Sequence, residues 1–457
     1  MSELPKGWAS IALEDAITPR SDRVSPQEIP DAEFIGMEHV EPHTNRIIET
    51  VPASTMASNA ARFVAGDVLY GRMRPYLNKV VAPTFNGLAS AEFIVFPLTD
   101  AVDSQFLLRR LSASDFTAFA CSQYEGDRPR VKFDQLGKFD LRLPPRAEQT
   151  RIVAKLEELL SDLDAGVAEL KAAQKKLAQY RQSLLKAAVE GALTAQWRTA
   201  HPPQETGAQL LERILIERRA RWVAKQRAKF QAQGKPAPKD WQKKYPDPVA
   251  PDTTGLPQLP QGWVWSGLGE CFQVAVGATP SRKEPAYWGG ELPWVSSGEV
   301  RFNRVTATKE TITSSGLDNS STQINPAGSV LLGMIGEGKT RGQVAILDVP
   351  AANNQNCAAI WVSETPVPSE FAYFWLWSRY EQTRRGSSGN NQPALNKFIV
   401  ERIPMPLPPL GEMQEIVRLV DVTLEHIASQ EEAIAHSLQQ STAQRQNLLR
   451  AAFAGEL

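Results

Sequence analysis

The sequence predicts an α+β fold, with two mixed α/β domains and two long helices that pair with each other inside one chain. Residues 143–193 recur without a gap at residues 407–457, and a motif shared by the starts of the two halves extends the duplication over most of the chain. The motif Leu-Pro-x-Gly-Trp opens each half, at residues 4–8 and 259–263. Between these repeats, short β-branched and aromatic runs separated by Gly, Pro and Asn indicate mainly sheet with a few helices.

Each repeated stretch predicts one long helix. In the first copy Pro144 and Pro145 fix φ where a helix begins, and Gly191 supplies a left-handed residue where it ends. The second copy has the same residue types at the same places. A helix of about 45 residues is about 67 Å long.

Apolar residues alternate in threes and fours along both copies, and this spacing is typical of a coiled-coil seam. The predicted seam consists of Val153, Leu156, Leu160, Leu163, Leu170, Leu177, Val417, Val420, Leu424, Ile427, Ile434, Leu438 and Leu448. It is interrupted by Gln174, Arg181, Glu431 and Arg445. Each helix needs a partner for this stripe, and the other copy in the same chain is the natural one. The alternative is a dimerisation coil between two chains.

These patterns divide the chain into five segments. The first domain occupies residues 1–142 and the first long helix residues 143–193. A basic helical insert with a Pro-rich linker follows at 194–258, then the second domain at 259–406 and the second long helix at 407–457.

Composition excludes several classes of protein. The net charge is −1, so any surface for nucleic acid must be local. Cys121, Cys271 and Cys357 are far apart, which favours a reducing compartment and argues against disulfides and a zinc site. The N-terminus lacks the pattern of a secretion signal, and the most apolar run, residues 371–377, is too short to span a membrane. We expect a soluble, cytoplasmic protein.

The insert contains a basic amphipathic helix. Two interpretations remain open for it: a solvated helical face, or a surface that contacts a phosphate backbone or an acidic partner. The basic residues are Arg213, Arg218, Arg219, Arg221, Lys225, Arg227 and Lys229.

Residues 333–340 match the phosphate-loop pattern GxxxxGK[ST] letter for letter. A functional phosphate loop needs a helix after it, so that the helix N-terminus faces the phosphates. Here residues 343–347 predict a second strand instead, and the corresponding loop of the first half, residues 71–78, lacks the motif. We therefore interpret the stretch as a hairpin tip, with a nucleotide-binding enzyme as the less favoured alternative.

No catalytic constellation is present in the sequence. His39 and His43 are separated by Pro42, which prevents the helix that would align them on a metal. There is no nucleophile elbow, no glycine-rich methyl-donor fingerprint, and no Asn-Pro-Pro-aromatic segment. We predict a binding protein with no catalytic residue, no metal ligand and no cofactor of its own.

Several motifs together resemble the specificity subunits of type I restriction–modification systems. They are the two Leu-Pro-x-Gly-Trp openings, GATPSRKEPAYWGGELPWVSSGEV at 277–300, GNNQPALNKF before IPMPLPP, and the PPxxEQxxIV start of the first long helix. The resemblance covers essentially the whole chain. It implies two target recognition domains held at opposite ends of two antiparallel helices, with a pseudo-twofold internal repeat.

The resemblance also implies partners. Subunits of this family are not catalytic; they bind double-stranded DNA and two methyltransferase subunits, which use S-adenosylmethionine to make N6-methyladenine. With restriction subunits they form an ATP-driven, DNA-translocating endonuclease, so ATP and Mg²⁺ are expected in partner subunits. The alternative is that the chain is the specificity subunit of a related type II-like methyltransferase/nuclease system. In either case we expect it in a prokaryotic cytoplasm.

Two unlike domains on a stiff pair of helices predict an asymmetric target in two parts, with half-sites roughly 34–36 Å apart if both lie on one face of the duplex. For DNA contact we predict loop residues that combine positive charge with amides or aromatic rings. In the first domain they are Arg72, Arg74, Tyr76, Asn78, Lys79, Arg128, Arg130 and Lys132. In the second domain they are Lys339, Arg341, Gln343, Arg384, Arg385, Asn390, Asn391 and Gln392.

The chain departs from the family pattern at two places. Met413 follows Glu412 where the first copy has Gln149 after Glu148. The basic insert at 205–244 has no counterpart after the second long helix, and it is expected to touch DNA outside the target or to bind a methyltransferase subunit.

Overall fold

The computed structural model describes residues 4–124, 129–234, 236–336, 339–385 and 395–457. Its contacts divide the chain into two compact units. Unit 1 consists of Met1–Gln174 and Glu432–Leu457, and unit 2 of Lys175–Glu431. In the described residues no helix combines the length and the apolar character needed to cross a membrane.

Unit 1 contains three small sheets. One has the strand order β2-β5-β8-β3-β4, the second the order β7-β6-β9, and the third pairs β1 with β10. The strands are β1 (Ala9–Ala12), β2 (Arg23–Val24), β3 (Glu33–Ile35), β4 (Val51–Pro52), β5 (Ala60–Phe63), β6 (Val68–Gly71), β7 (Val80–Val81), β8 (Gly87–Ala89), β9 (Phe93–Phe96) and β10 (Asp140–Leu143).

Four short helices cover the β7-β6-β9 sheet and complete the core of unit 1: α1 (Leu13–Ala16), α2 (Ser104–Leu111), α3 (Ser114–Ser122) and α4 (Phe133–Leu136). The Asp103 carboxylate caps α2 by accepting from the backbone N–H groups of Gln105 and Phe106. In the core, the ring of Phe116 lies edge-on between Tyr70 and Phe139.

The described residues of unit 2 also form sheets of five, three and two strands. Their strand orders are β12-β19-β16-β17-β14, β15-β13-β18 and β11-β20. The strands are β11 (Val264–Gly267), β12 (Gln273–Val276), β13 (Trp288–Val295), β14 (Asn303–Val305), β15 (Glu310–Ile312), β16 (Val330–Gly333), β17 (Val344–Leu347), β18 (Ala352–Asn353), β19 (Cys357–Trp361) and β20 (Pro404–Leu407).

Two long helices follow the two domains. They are α5 (Arg146–Val189), of 44 residues, and α13 (Leu410–Ala454), of 45 residues. The shorter helices of unit 2 are α6 (Ala195–Ala200), α7 (Gly207–Ala232), α8 (Leu268–Cys271), α9 (Ser314–Asp318), α10 (Ser369–Ser378), α11 (Tyr380–Arg385) and α12 (Lys397–Glu401).

Each long helix begins directly after a two-stranded ladder that closes its domain. Ala9 pairs with Leu143 in one ladder, and Val264 pairs with Leu407 in the other. Both helices end at glycines with positive φ, Gly191 at 75° and Gly455 at 79°, which a residue with a Cβ atom adopts only with strain. The structure confirms the two long helices that the sequence predicts, with their proline starts and glycine ends. It also confirms the mixed α/β composition.

Parts of both long helices contribute to the core of each unit. In unit 1, Leu156 and Leu160 of α5 belong to the same apolar cluster as Leu449 and Phe453 of α13. In unit 2, Leu184 of α5 belongs to one cluster with Val420 of α13. All of the predicted seam residues are buried or half-buried.

Two ion pairs join the helix segments where arginine interrupts the seam. In unit 1 the Arg445 guanidinium pairs with the Asp164 carboxylate, and in unit 2 Arg181 pairs with Glu431. The guanidinium of Arg181 also lies 5.9 Å from the centre of the Trp377 ring. The charged residues at seam positions, Arg181, Glu431 and Arg445, therefore have partners inside their own unit.

Candidate nucleic-acid interface

The loop after β6 has an unusual backbone. Arg74 and Asn78 both adopt left-handed conformations, with φ of 52° and 45°, and they flank the short helical turn Pro75–Leu77. Such angles are uncommon outside glycine, and they cluster at binding sites. The side-chain amide of Asn78 holds the turn in place by donating to the carbonyl of Ser112 at 2.7 Å.

The two groups of residues predicted to contact DNA in unit 1 lie next to each other. The backbone N–H of Arg74 donates to the carbonyl of Pro129 at 2.8 Å, and that of Val131 donates to the carbonyl of Arg72 at 3.0 Å. Glu92 joins their side chains: its carboxylate lies 2.7 Å from the Arg130 guanidinium and 3.5 Å from that of Arg72. The sequence does not point to Glu92, because its partners Arg72 and Arg130 are distant from it along the chain.

The predicted residues of this loop differ in exposure. Arg74, Tyr76, Arg130 and Lys132 are exposed, and Arg72 is half-buried beside Glu92. Arg128 lies outside the described residues.

Two residues of the loop face the protein. Asn78 is buried and does not lie at an exposed loop tip, because its amide bonds to Ser112. The Lys79 ammonium donates to the carbonyl of Met37, and burial lowers its pKa. Contact between the residues of this loop and DNA stays a prediction.

In unit 2 the corresponding loop joins β16 to β17. These strands pair antiparallel, and the loop closes through a 2.8 Å hydrogen bond from the Gly342 N–H to the Gly333 carbonyl. Lys339 is exposed, and its carbonyl accepts a hydrogen bond from the Tyr380 hydroxyl at 2.8 Å. Gly342 has φ of 81° and packs so closely on Thr383 and Tyr380 that an added Cβ would lie 3.2 Å from both side chains.

An aromatic cluster supports this loop through α11. The rings of Phe302 and Trp377 stack at 5.1 Å, and Phe302 meets Tyr380 edge-on at 5.0 Å. The Arg384 guanidinium lies 5.3 Å from the centre of the Tyr380 ring. The structure therefore brings Lys339 and Arg384, predicted from separate stretches of sequence, to the same tyrosine.

The remaining predicted residues of unit 2 have varied positions. Arg341 and Gln343 are half-buried, and the Nε atom of Arg341 is buried with no hydrogen-bond partner among the described residues. Arg385 is the last residue of α11. Asn390, Asn391 and Gln392 lie outside the described residues.

The stretch that matches a phosphate loop belongs to this hairpin. Residues 337–338 lie outside the described part, but the next regular element is the strand β17 and no helix follows the loop directly. The hairpin therefore lacks the helix N-terminus that a phosphate loop uses.

The described residues offer little for covalent or metal chemistry. They contain no group of three or more His, Cys, Asp or Glu side chains that could hold a metal ion. Burial raises the pKa of Cys271 and of Cys357 to about 12, so both thiols are protonated at neutral pH. What the two loops do offer is exposed cations, Arg74 and Arg130 in unit 1 and Lys339 in unit 2, and such groups suit phosphates and base edges.

Comparison with known proteins identifies similar chains. A model of the type I restriction modification DNA specificity domain matches residues 260–439. The chain is 29% identical over 227 residues to the EcoDI type I restriction enzyme specificity subunit of Escherichia coli, a match that covers 48% of this chain and 51% of that protein. It is 23% identical over 359 residues to the HindI specificity subunit of Haemophilus influenzae, covering 73% of this chain and 71% of that one.

A solved chain from work on complex assembly and conformational transition of the type I R-M system has a similar fold. The TM-score is 0.69 at 20% sequence identity, and all of both chains is covered. This likeness concerns the fold alone. The matched region spans about half the length of the Escherichia coli relative.

Proposed function

We propose that this chain, whose residues 260–439 match the type I restriction modification DNA specificity domain, is the subunit that recognises the DNA target for such a system. Each domain binds one part of a divided, asymmetric site on double-stranded DNA. The chain itself performs no chemistry. It directs adenine-N6 methylation, or ATP-dependent cleavage, by the subunits that bind to it.

One observation carries this proposal. In both units a loop follows an equivalent strand, β6 or β16, and its cations lie beside a second predicted contact segment. In unit 1 the loop residue Arg72 and the segment residue Arg130 share Glu92, and in unit 2 Lys339 and Arg384 share Tyr380. Guanidinium groups in such positions suit phosphates and guanine edges, whereas the side chains around them differ between the units.

We also propose that α5 and α13 form an antiparallel coiled coil that sets the distance between the two half-sites. The Arg445–Asp164 pair of unit 1 and the Arg181–Glu431 pair of unit 2 support this arrangement, because the later residue of α5 pairs with the earlier residue of α13. Partly buried polar pairs of this kind fix the register of coiled coils.

The proposed partners are two modification subunits and, in a complete system, restriction subunits. The fold likeness to a chain from an assembled type I R-M system supports this. S-adenosylmethionine, ATP and Mg²⁺ would then act in those partners. A related type II-like system would use the same recognition geometry with fewer partners. A nucleotide-binding enzyme that uses residues 333–340 is not favoured, because a strand follows the loop.

The experiment maps N6-methyladenine in DNA from cells that make this chain with its modification subunits. A split, asymmetric methylated sequence is the expected result. Four residues are then inserted after Gln174 and four after Leu438, the equivalent position of the second copy. The helices lengthen by about 6 Å, so the unread spacer should grow by about two base pairs while both half-sites stay the same.

The matched control inserts four residues after Asp252 in the exposed linker, and it should leave the spacer unchanged. An unaltered spacer in the helix variant would overturn the measuring role of the helices. A methylated sequence that does not depend on this chain would overturn the recognition role.

A further inference from the structure

The insert of unit 2 concentrates positive charge in a short stretch. Residues 219–244 contain nine Lys and Arg and a single acid, Asp240, in a chain whose net charge is −1. Seven of the described cations are exposed: Arg219, Lys225, Arg227, Lys229, Lys239, Lys243 and Lys244. The stretch is therefore a local polycation on a nearly neutral protein.

The first half of α7 holds the insert on its domain. Leu210 and Ile214 are fully buried in the core of unit 2. The Arg218 guanidinium donates to the carbonyl of Gly269 at the start of α8. In this half the charge of Arg213 is matched, because Glu205 binds its guanidinium at 2.9 Å.

The second half of α7 is ordered by aromatic contacts. Trp222 stacks on Trp241 at 5.6 Å and meets Tyr245 edge-on at 5.4 Å, while Phe230 meets Trp241 at 5.4 Å. These contacts hold the turn Trp241–Lys244, which carries Lys243 and Lys244, beside the second half of α7.

Most of this charge is not neutralised. No ion pair within the part of the chain that the structure describes involves Lys225, Arg227, Lys229, Lys239 or Lys244. The positive surface continues onto the domain at a cleft of about 520 Å³ between α7 and α12. Its walls carry Arg221 and Lys225 from α7, Lys397 from α12 and Arg402 directly after α12, together with three carboxylates.

We propose that residues 219–234 and 236–244 bind the phosphate backbone of duplex DNA beside the recognised target. Protein–protein interfaces are depleted in Lys and have an apolar centre, whereas five of the seven exposed cations here are Lys. No large apolar side chain of this stretch is exposed among the described residues. A flexible point charge on each lysine suits phosphates without reading sequence. This inference rests on the proposed function, since it adds a second DNA-binding surface to the recognition subunit.

The test measures binding of the full-length chain to two duplexes that contain the mapped target. One duplex ends at the edges of the target, and the other extends by 20 base pairs on each side. The variant carries Lys225→Gln, Arg227→Gln and Lys229→Gln. The matched control removes equal charge from exposed positions on α5, with Lys175→Gln, Lys176→Gln and Lys186→Gln.

The wild-type chain should bind the longer duplex more tightly, and in the variant this advantage should shrink by roughly tenfold or more at low salt. The slope of log affinity against log salt should fall by about 0.9 for each phosphate that the variant no longer neutralises. Affinity for the short duplex and preference for the target over a scrambled sequence should not change. The control should behave like the wild type.

Three results would overturn the inference. The first is an undiminished preference of the variant for the longer duplex, and the second is an equal loss of that preference in the control. The third is unchanged DNA binding by a variant that no longer binds the modification subunits, which would assign the surface to a protein partner. A wild-type chain that does not distinguish target from scrambled DNA would instead refute the proposed function. In that case the salt slope on the scrambled duplex still reports whether the insert binds phosphates.

Discussion

The two units hold the same loop in two different ways. After β6 in unit 1, the support is electrostatic, with the Glu92 carboxylate between Arg72 and Arg130. After β16 in unit 2, the support is aromatic, with Tyr380 bonded to the loop backbone and packed on Phe302. The two loops follow strands that align in sequence, but the side chains around them differ. A chain with two such loops is suited to reading two unlike sequences.

The starts of the two long helices also differ between the units. In unit 2, Glu412 is 1% exposed and accepts hydrogen bonds from Thr194, Arg198 and Trp263 at 2.7–2.9 Å. Its equivalent in unit 1, Glu148, is 30% exposed at the side chain and pairs only with Arg151 within the described residues. An aligned residue therefore has a structural role in one copy and a surface role in the other.

The largest expected effect comes from removing these two glutamates separately. Glu412→Ala leaves the Arg198 guanidinium and the Trp263 N–H without their acceptor, and it should cost about 3–5 kcal/mol of stability. Glu148→Ala removes a surface ion pair and should cost about 0–1 kcal/mol. Urea unfolding followed by tryptophan fluorescence measures both. Equal shifts of the two midpoints would contradict the assignment of different roles.

A smaller effect is expected from exchanging the residues that follow those glutamates. Gln149 is fully buried; its amide donates to the carbonyls of Ala101 and Pro144, and its carbonyl accepts from the N–H of Asp103. Gln149→Met leaves these backbone groups unpaired and should cost about 1–3 kcal/mol.

The reverse exchange is the matched control for that comparison. Met413 is fully buried in the apolar core of unit 2, so Met413→Gln buries an amide that lacks partners and should cost about 1–3 kcal/mol. Thermal unfolding of the two single variants tests both costs. If either exchange leaves the melting temperature unchanged, packing does not explain why the chain has Met413 where the first copy has Gln149.

Much of the secondary structure follows from local signals in the sequence. The proline pairs, the glycines at 191 and 455 and the seam spacing act within a few residues of where they stand, so they predict the bounds of α5 and α13 closely. The antiparallel pair of β16 and β17 follows similarly from two apolar runs on either side of a turn.

The arrangement of the loops could not be predicted in this way. Asn78 looks like an exposed loop residue in sequence, but its partner Ser112 is 34 residues further along the chain. Glu92 and Tyr380 organise the two loops through interactions of the tertiary structure, and no motif marks either residue. Sequence reasoning therefore identifies the loop residues by type and misses the groups that position them.

The smallest expected effects come from the loop supports themselves. Tyr380→Phe keeps the ring against Phe302 and removes only the hydroxyl that donates to the Lys339 carbonyl, so stability should fall by about 1 kcal/mol. Preference for the half-site that unit 2 is proposed to read should relax several-fold, because about 1.4 kcal/mol corresponds to a tenfold change in affinity. Glu92→Gln should relax the preference for the other half-site by a similar factor, because the guanidinium groups of Arg72 and Arg130 lose the negative charge between them.

Selection from duplexes randomised in one half-site at a time separates these two outcomes. Tyr180→Phe on α5 is the matched control, because that side chain is 53% exposed, and it should change neither half-site. If Tyr380→Phe relaxed both halves equally, the loop of unit 2 would not read its half independently. The contrast between an electrostatic and an aromatic support would then concern stability alone, and the asymmetry of the target would have to arise from other residues of the two domains.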